Sequence, residues 1–546
     1  MWRSLPAALL CLSGAVSAGP ARFEHFTYSG VADEHPAVSA AQYRNPILSG
    51  YYPDPSITRV GDNYYLVNSS FAHFPGLPIF TSKNLVDWRQ IGNAIDRPTQ
   101  VDLTGRAISE GLFAPDISYQ DGRFFLINTC VNCGGNFIIT ARDPAGPWSD
   151  PVWLGLEGID PSIFWEAGRA YIVNNRPPNG PAQYDGHHAL WLQEFDWRAG
   201  CMVGESTQVV DGGVDTFKQP SWIEGPHLFK RNGLYYLIAA EGGTGDMHSE
   251  VVFRSHSLHG PYSPFRDSPI LSQRTLDTNR PHPVTSAGHA DFVRTPAGDW
   301  WATFLATRPY SEGKYNIGRE TFLLPVTWRG GWPSILPAST AVPFVARRPA
   351  LPHGVAVVPP TSGDFSYVER FDSATLPPQW IGIRTPKAPV YQLDGGGLVL
   401  DKGAALGDRG GVPAFVGRRQ QHHVATVTVT LIYAPEREGD RAGLAAIQSD
   451  ESFLFYGLTR LQDRPAVTLF VRSGQSQEAM IASAPIEAGS APIVLSIGIN
   501  RGLMSFAYRR GSSEQTLVSD VDGAFLSTQS AGGFVGTVIG AFARNQ

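Results

Sequence analysis

The sequence has little charge and no excess of basic residues. Only 17% of its 546 residues are charged, against a usual value of about 25% in soluble domains. With 43 basic and 49 acidic residues the formal charge is −6, so we predict no nucleic-acid partner. Beyond an N-terminal leader, no stretch reaches the apolar length that spans a bilayer. We therefore predict a soluble mature protein with no membrane partner.

Cysteine is also scarce, with four residues in the chain. Cys130 and Cys133 form a CxxC pair in INTCVNCGGNF, but no second CxxC and no nearby histidine pair complete a zinc site. A thioredoxin-like redox site is excluded as well, because the pair does not lie in a βαβ pattern. We predict either a local disulfide or two buried thiols here, and the sequence leaves the state of Cys201 open.

The N-terminal residues MWRSLPAALLCLSGAVSAGP run from Arg3 through an apolar stretch to a small-residue triplet that ends at Ala18. This is the layout of a secretory signal peptide. We predict a signal peptide over residues 1–18, with export to the periplasm or the extracellular space. A lipoprotein anchor at Cys11 is disfavoured, because the bulky Leu10 precedes it.

Long helical periodicity is nearly absent, which argues against a (β/α)8 barrel. Instead one strand motif recurs: a turn glycine followed by aromatic and aliphatic residues, as in GDNYYLVNSS and NGLYYLIAAE. Five copies place their second aromatic at intervals of 46 to 65 residues, at Tyr65, Phe125, Tyr171, Tyr236 and Trp301. Such intervals suit a β-propeller, in which each blade covers the faces of its neighbours. We predict an all-β protein with a five-bladed propeller as catalytic domain over residues 40–336.

A second strand precedes each copy, and each of these strands carries an acidic residue 9 to 12 positions before the aromatic. These residues are Asp54, Asp116, Asp160, Glu224 and Asp291. A single Asp-Pro is typical of a turn, but turn chemistry gives no reason for placement in every copy. Because the first strand of each blade lines the channel of a propeller, we expect the five residues to converge in one acidic cluster.

Clustered carboxylates shift one another's pKa, since like charges in a partly dry pocket oppose joint ionisation. One carboxyl then stays protonated near neutral pH. Glycoside hydrolysis has this requirement, because one carboxylic acid protonates the leaving oxygen while a second carboxylate acts on the other face of the sugar. Metal binding is the rival use of such a cluster, but one histidine among aspartates, without a close ligand motif, disfavours a catalytic cation.

Six segments in order between residues 45 and about 335 resemble glycoside hydrolase family 43, in its β-xylosidase and α-L-arabinofuranosidase branch. They are NPILSGYYPDPSI, GLFAPDISYQDGRFFL, IDPSIF, EGPHLFKRNGLYYLIAAEGGT, GHADFV and GRETFLLPVTW. The resemblance implies a single-displacement, inverting mechanism that requires no cofactor. It implies Asp54 as general base and Glu224 as general acid, with their carboxyls roughly 6.5–9.5 Å apart. Asp160 is then the residue that orients Glu224 and keeps its pKa raised, and Asp116 and Asp291 are supporting residues.

The same resemblance implies residues that bind the sugar. Arg319 is expected to hydrogen-bond to sugar hydroxyls through its planar guanidinium, and Phe71 and Phe113 to form aromatic walls. Relatives commonly have Trp at the position of Phe113, so we expect a pocket of different width. His289 is expected either to fill the channel or to hydrogen-bond, through water, to a structural calcium ion such as some relatives carry.

The rest of the chain predicts a second domain. Residues 337–364 are rich in proline and read as a semi-rigid linker. Residues 365–546 alternate strands with turns, which predicts a β-sandwich of the jelly-roll type, and YVERFDSATLPPQWIGIRTP resembles the start of the concanavalin-A-like sandwich of the xylosidase branch. In such relatives a loop from the sandwich closes one side of the pocket, and Phe534 is the candidate here. The alternative is a sandwich that only stabilises the propeller or binds glycan elsewhere.

These observations predict an exported exo-glycosidase that releases terminal α-L-arabinofuranose, β-D-xylose or both from plant cell-wall hemicellulose oligosaccharides derived from xylan, arabinan or xyloglucan. Two alternatives remain. An endo-arabinanase is disfavoured by the predicted sandwich domain, and a non-catalytic glycan-binding propeller is disfavoured by the complete set of Asp54, Asp160 and Glu224. The sequence leaves the oligomeric state and the choice between the two sugars open.

Overall fold

The computed structural model describes residues 19–32, 38–214, 218–352, 357–489 and 491–545. The predicted signal peptide, residues 1–18, lies outside the described residues. Regular structure is almost entirely β-strand, and helical structure includes a 3₁₀ turn at Ala524–Leu526 and a one-turn helix, α1, at Thr528–Ala531. Within the described ranges, no helix combines the length and the apolar character that crossing a membrane requires.

Antiparallel pairing builds five sheets from the described residues between Ser56 and Ser334. Two strands come before them in the chain, β1 (Ala21–Val31) and β2 (Gln42–Arg44). Sheet 1 contains β3 (Ser56–Val60), β4 (Asn63–Val67), β6 (Gly76–Ser82) and β7 (Arg89–Ile95), with β5 (His73–Phe74) between them in sequence. Sheet 2 contains β8 (Gly111–Leu112), β9 (Asp116–Gln120), β10 (Arg123–Val131), β11 (Gly135–Ala141) and β12 (Val152–Trp153).

The other three sheets repeat this meander. Sheet 3 contains β13 (Ile159–Glu166), β14 (Arg169–Arg176), β15 (Ala189–Asp196) and β16 (Cys201–Asp211). Sheet 4 contains β17 (Glu224–Arg231), β18 (Leu234–Glu241), β19 (Ser249–Ser255), β20 (Ser263–Pro264) and β21 (Leu271–Ser272). Sheet 5 contains β22 (Thr285–Arg294), β23 (Trp300–Thr307), β24 (Glu320–Arg329) and β25 (Trp332–Ser334).

One inner strand from each sheet takes part in a closed ring. β3 contacts β9, β9 contacts β13, β13 contacts β17, β17 contacts β22, and β22 contacts β3. Asn45 helps to join the two ends of the ring, because its side chain donates to the Leu323 carbonyl (2.9 Å) and accepts from the Leu323 N–H (2.9 Å). Sheets arranged around such a ring form a β-propeller.

Strands inside the propeller are buried on both faces, because each sheet packs against a neighbour on either side. β10, with the sequence RFFLINTCV, and β23, with WWATFLAT, are buried over nearly their whole length, unlike the alternating strands of a sheet with one wet face. Cys130 at the end of β10 forms a disulfide with Cys133, and Cys201 is a free, exposed thiol. Of the two predicted states of the CxxC pair, the disulfide is therefore the one observed.

The second domain is a sandwich of two antiparallel sheets. One sheet contains β1, β27 (Phe365–Glu369), β29 (Gln392–Leu393), β30 (Leu398–Leu400), β32 (Val424–Ile432), β37 (Ile493–Asn500), β38 (Leu503–Arg510) and β39 (Ser513–Asp522). The other contains β31 (Ala414–Arg419), β33 (Arg441–Ile447), β34 (Phe453–Leu461), β35 (Arg464–Arg472), β36 (Ala479–Pro485) and β40 (Val538–Arg544). The prediction of an all-β protein with a propeller followed by a sandwich is confirmed.

The sandwich includes a strand that the predicted domain limits leave out. β1 pairs with β27 and β30 along one edge and with β32 along the other, so it lies inside the sheet. The predicted linker, residues 337–364, also carries structure, because β26 (Val345–Arg347) pairs with β2 at the start of the propeller. Both pairings join segments about 300 or more residues apart, which local sequence patterns do not reveal.

The two domains share a core next to the cavity described below. β28 (Gly382–Ile383) pairs with β5 of the propeller, and side chains from both domains pack together, among them Tyr51, Phe71, Phe415 and Val535. Arg384 and Asp450 of the sandwich form a buried ion pair with each other, and each also contacts the propeller: Arg384 donates to the Arg106 carbonyl (2.7 Å), and Asp450 accepts from the Ile108 N–H (3.0 Å). The sandwich is therefore held firmly against the propeller face that carries the site.

Candidate active site

All eight residues that the sequence singled out for catalysis or sugar binding line one cavity. Its volume is about 430 Å³, in the range of sites for small ligands. The eight residues are Asp54, Phe71, Phe113, Asp160, Glu224, His289, Arg319 and Phe534. Two larger cavities, of about 730 and 550 Å³, each contain a single carboxylate, Asp96 and Asp299 respectively. They lack the carboxylate pair that acid and base chemistry on one bond requires.

The inner strands present side chains to the channel at two levels. The short motifs DPSI, APDI, DPSI, GPHL and HADF align the five strands, and residues two apart on a strand lie on the same face. The upper level, which borders the cavity, is Asp54, Ala114, Asp160, Gly225 and His289. The lower level is Ser56, Asp116, Ser162, His227 and Asp291.

This arrangement corrects the expectation of one acidic cluster. Asp54 and Asp160 belong to the upper level, and Glu224 lies beside it, whereas Asp116 and Asp291 belong to the lower level and do not line the cavity. The expectation failed because it aligned the strands on their acidic residues. Aligning them on the short motifs, four of which contain a proline in the second position where HADF has an alanine, separates the two levels.

Irregular backbone aims the upper residues into the cavity. The strand register shifts between Ile159 and Ser162 in β13, between Glu224 and His227 in β17, and within Gly288–Asp291 in β22. Such bulges re-aim side chains and are frequent next to active sites. Asp54, Asp160 and His289 also have positive φ values of 52°, 52° and 53°. Each costs roughly 1–3 kcal/mol, a strain that clusters at functional sites.

The lower level links neighbouring sheets. Asp291 of sheet 5 accepts from the Ile57 N–H of sheet 1 (2.8 Å), and Asp116 of sheet 2 accepts from the Ile163 N–H of sheet 3 (2.9 Å). The Ser56 hydroxyl lies 3.0 Å from a carboxylate oxygen of Asp116 and of Asp291. Burial, followed by the charge of Asp291, raises the pKa of Asp116 to about 6, although His227 opposes the shift. These groups therefore stabilise the ring rather than face a substrate.

Asp54 is held as an ionised carboxylate. Arg319 Nη1 donates to its Oδ1 (2.9 Å), and the Ser69 hydroxyl donates to its Oδ2 (2.5 Å). Burial raises the pKa of Asp54, but the charge of Arg319, together with the hydrogen bond from Ser69, lowers it, and the net shift is downward. Arg319 thus contacts a carboxylate in addition to lining the cavity, a pairing that its predicted role as a sugar ligand did not include.

Glu224 and Asp160 shift in the opposite direction. Burial, followed by the charge of Asp54, raises the pKa of Glu224 to about 7. Burial also raises the pKa of Asp160 well above its usual range, and Glu224 and then Asp54 add to this shift. The charge of Asp54 thus contributes to the raised pKa of Glu224, and the predicted contribution of Asp160 stays a prediction. The cavity combines one ionised carboxylate with two carboxyls that tend to hold protons.

Three phenylalanines form one wall of the cavity. Phe71 and Phe113 come from sheets 1 and 2, and Phe534 comes from the loop between α1 and β40 of the sandwich. The ring of Phe534 lies 5.8 Å from that of Phe71 and 5.6 Å from that of Phe113, and its N–H donates to the Ser109 hydroxyl of the propeller (3.0 Å). The sandwich therefore closes one side of the cavity, as the resemblance implied.

His289 fills the channel beside the carboxylates. A Cβ placed on Gly225, which has a φ of 56°, would lie 2.6 Å from His289 Nε2, so glycine is required there. Burial lowers the pKa of His289 to about 3 despite the nearby Asp54. The imidazole is therefore neutral, and its 3.7 Å approach to Asp54 is not an ion pair.

The residues around His289 and His227 do not fit a directly bound calcium ion, which takes six to eight oxygen ligands. Beside His289, both oxygens of Asp54 already accept hydrogen bonds from Arg319 or Ser69. Asp116, His227 and Asp291 have ligand atoms within 4.8 Å of one another, but the carboxylates there accept main-chain N–H groups. A calcium ion held at His289 through water stays a prediction.

The structure adds cavity residues that the sequence analysis did not single out. They are Ala114, Ile159, Trp222, Gly243 and Thr244. Trp222 lies two residues before Glu224 in SWIEGPHLF, and Gly243 and Thr244 belong to the AEGGT segment at the end of β18. Four of the five lie within the motifs that resemble family 43, and that position is the signal by which they could have been found, whereas Trp222 lies two residues before such a motif.

Comparison with known proteins gives two family matches. Residues 43–333 match the model of glycosyl hydrolases family 43, and residues 368–546 match the model of the beta xylosidase C-terminal concanavalin A-like domain. A xylosidase/arabinosidase of Butyrivibrio fibrisolvens is 36% identical over 509 residues, which cover 91% of this chain and 95% of the relative. The non-reducing end alpha-L-arabinofuranosidase BoGH43B of Bacteroides ovatus is 36% identical over 518 residues, which cover 93% and 92%.

Solved structures give the same result over nearly the whole chain. A crystal structure of a GH43_12 protein retrieved from a capybara gut metagenome has 37% sequence identity and a TM-score of 0.89, covering 96% of this chain and 99% of the other. The Bacteroides ovatus xyloglucan PUL GH43B structure has 34% identity and a TM-score of 0.83, covering 92% and 96%. Both domains and their relative placement are therefore shared with these proteins.

Proposed function

The chain belongs to glycosyl hydrolase family 43, and from that premise we propose that it is an exo-acting, inverting glycosidase that releases terminal pentoses from plant cell-wall oligosaccharides. The pentose is α-L-arabinofuranose, β-D-xylose or both, in keeping with the names of the relatives. The observation that carries the proposal is the cavity of about 430 Å³ that holds Asp54, Asp160 and Glu224 with opposed pKa shifts.

The opposed pKa shifts assign a role to each carboxyl. Asp54, ionised by its contact with Arg319, accepts a proton from water, and the water oxygen forms a bond to the anomeric carbon. The bond from that carbon to the leaving oxygen breaks as Glu224, protonated near neutral pH, delivers its proton to that oxygen. Asp160, which hydrogen-bonds to the Gly225 main chain next to Glu224, orients the acid. No cofactor takes part in these steps.

The closed wall of the cavity supports an exo mode of action. An endo-acting arabinanase must bind chain on both sides of the cleaved bond, whereas here Phe71, Phe113 and Phe534 close one side. A glycan-binding propeller without activity needs no protonated carboxyl opposite an ionised one. The sugar that fits the pocket is therefore a terminal residue, and its glycan extends outward through the mouth.

Export belongs to the same proposal. An N-terminal leader with the layout of a signal peptide would take the enzyme to the periplasm or the extracellular space, where xylan-, arabinan- or xyloglucan-derived oligosaccharides occur. Expression of the full chain, followed by N-terminal sequencing of the protein recovered outside the cytoplasm, tests it. A mature N-terminus near residue 19 is expected, and a retained leader would contradict export.

Activity is tested on paired 4-nitrophenyl α-L-arabinofuranoside and β-D-xyloside, then on arabinoxylan, arabinan and xyloglucan fragments. Release of single pentoses is expected, and accumulation of oligosaccharides from arabinan would favour an endo enzyme. Glu224→Gln should lower kcat on an unactivated oligosaccharide by about 10²–10⁴-fold. Glu166→Gln is the matched control, because Glu166 pairs with Lys230 outside the cavity. Unchanged turnover in the Glu224 variant would reject its role as the acid.

A further inference from the structure

Trp222 is an exposed tryptophan at the cavity. Among the residues that the structure describes, Trp222 and Trp153 are the two tryptophans with large exposed fractions, 43% and 42%. Only Trp222 of these two lines the cavity. An exposed ring of this size lacks the free energy that burial in a core would provide. A ligand that covers the ring would supply part of that free energy.

The protein fixes this ring in place at a cost. Trp222 has a φ of 54°, which is a genuine outlier for a bulky residue. Its main-chain N–H donates to the Gly186 carbonyl (2.8 Å). Its indole ring packs on the ring of His188, with centroids 4.1 Å apart and planes 32° apart. The Nδ1 of His188 in turn lies 3.0 Å from Oδ1 of Asn175.

One edge of the ring packs against the main chain, and the rest of the ring stays exposed. Gly186 lies so close that a Cβ there would be 3.3 Å from Trp222 Cδ1, so the main chain at Gly186 supports this edge, while 43% of the residue remains exposed. Burial, followed by the neighbouring His187, lowers the pKa of His188, and the ring beneath Trp222 is therefore neutral. The result is a rigid, uncharged aromatic surface that is open on one side.

Trp222 lines the same cavity as Glu224, and this favours one kind of ligand. Glu224 delivers its proton to the leaving oxygen, so the leaving group lies on the Glu224 side of the cleaved bond. Trp222 comes two residues earlier in the same segment and lines the same cavity, while the phenylalanine wall lies against the sandwich. Aromatic faces bind the C–H faces of pyranose rings through apolar contact.

We propose that Trp222, supported by His188, forms the binding subsite for the leaving-group sugar, a neutral pyranose ring that stacks on the exposed indole. The inference rests on the proposed function, because it assumes cleavage of a terminal pentose from a longer saccharide. It adds a residue that determines which backbone sugar the enzyme accepts. It also explains why the strained backbone at Trp222 is retained, because this backbone holds the indole at the cavity.

The test compares substrates with and without a leaving-group sugar. Wild type, Trp222→Ala, Trp222→Phe and Trp153→Ala are assayed on β-D-xylosyl or α-L-arabinofuranosyl fluoride, and on xylobiose or an arabinofuranosyl xylo-oligosaccharide. Trp222→Ala should lower kcat/KM at least tenfold on the saccharide but less than threefold on the fluoride. Trp222→Phe should stay within threefold of wild type on both. Trp153→Ala removes an equally exposed indole outside the cavity and should leave both rates unchanged.

Two results would overturn the subsite. An equal loss on the fluoride and the saccharide would place Trp222 in the support of Glu224 or of the terminal sugar, and no loss on the saccharide would leave it without a role in binding. A wild-type enzyme that cleaves neither substrate would instead overturn the proposed function, and the subsite with it. Thermal unfolding of each variant checks that a lost rate does not reflect a lost fold.

Discussion

Arg319 Nη1 donates to Asp54 Oδ1 across 2.9 Å, in an ion pair of which both side chains are buried. Asp54 lies just before the first strand of sheet 1, and Arg319 lies just before β24 of sheet 5, so the pair joins the two ends of the propeller. The ion pair also gives the carboxyls different protonation states, and this is the division between base and acid. Because the guanidinium keeps Asp54 ionised, the charge of Asp54 raises the pKa of Glu224, and the acid and the base differ although both are buried.

The pH dependence of kcat/KM should follow from this division. Glu224 must be protonated, and burial with the charge of Asp54 raises its pKa to about 7, so activity should fall as the pH rises through about 7. Asp54 must be ionised, and its pKa is lowered, so the acid limb should lie below the usual range of an aspartate. A profile on an aryl pentoside measures both limbs, and full activity at pH 9 would contradict the assignment of Glu224.

Arg319→Met should move the whole profile upward. The guanidinium lowers the pKa of Asp54 and also that of Glu224, so its removal raises both pKa values and shifts both limbs to higher pH. Arg169→Met is the control, because Arg169 pairs with Glu194 at an exposed position. A lower rate with an unshifted profile would mean that Arg319 only binds the sugar.

Glu224→Gln should stabilise the protein at alkaline pH. The folded-state pKa of Glu224, about 7, lies above its unfolded value, so the folded wild type binds more protons and loses stability as the pH rises through this window. Glutamine has no such cost, which at about 1.4 kcal/mol per pKa unit amounts to a few kcal/mol. The gain in melting temperature over wild type should be small at pH 5 and larger at pH 8.5. A gain independent of pH would contradict the raised pKa.

Asp291→Ala should instead destabilise the fold. Its carboxylate accepts from the Ile57 N–H (2.8 Å), and an unpaired buried donor costs roughly 1–3 kcal/mol. Melting temperature and urea midpoint should both fall, whereas Asp299→Ala, at an exposed turn of the same sheet, should leave them unchanged. A normal melting temperature with lost activity would place Asp291 among the reacting groups.

The stereochemistry of the product tests the mechanism. In an inverting enzyme the base activates a water molecule, which attacks the anomeric carbon directly and so inverts its configuration. Proton NMR of a reaction run to partial conversion should therefore show the inverted anomer first, followed by slow mutarotation. Initial release of the retained anomer would mean that Asp54 acts as a nucleophile.

Much of the site could be predicted because its signals are local. Asp54, Asp160 and Glu224 each lie in a short motif within a recurring strand pair, and the resemblance placed Phe71, Phe113 and Phe534 at the same cavity. The level of each acidic residue was within reach of the sequence, because the upper residue lies 11 positions before the aromatic in sheets 1 to 4 and the lower residue lies 9, with one more position for each in sheet 5. The expectation of one cluster failed because it treated all offsets from 9 to 12 as one level. The pairing of Arg319 with Asp54 and the exposure of Trp222 depend on contacts between distant sheets, and no local pattern carries them.

The position of β1 in the sandwich determines how the two domains follow each other along the chain. Since β1 pairs with β27, β30 and β32, the propeller is topologically an insertion between the first and second strands of the sandwich. A fragment that begins at residue 40 leaves a gap in the middle of a sheet, and one that begins at residue 365 does the same. The two halves therefore cannot be exchanged between enzymes by a single cut at the linker, and a graft of this sandwich onto another propeller has to carry both of its chain ends.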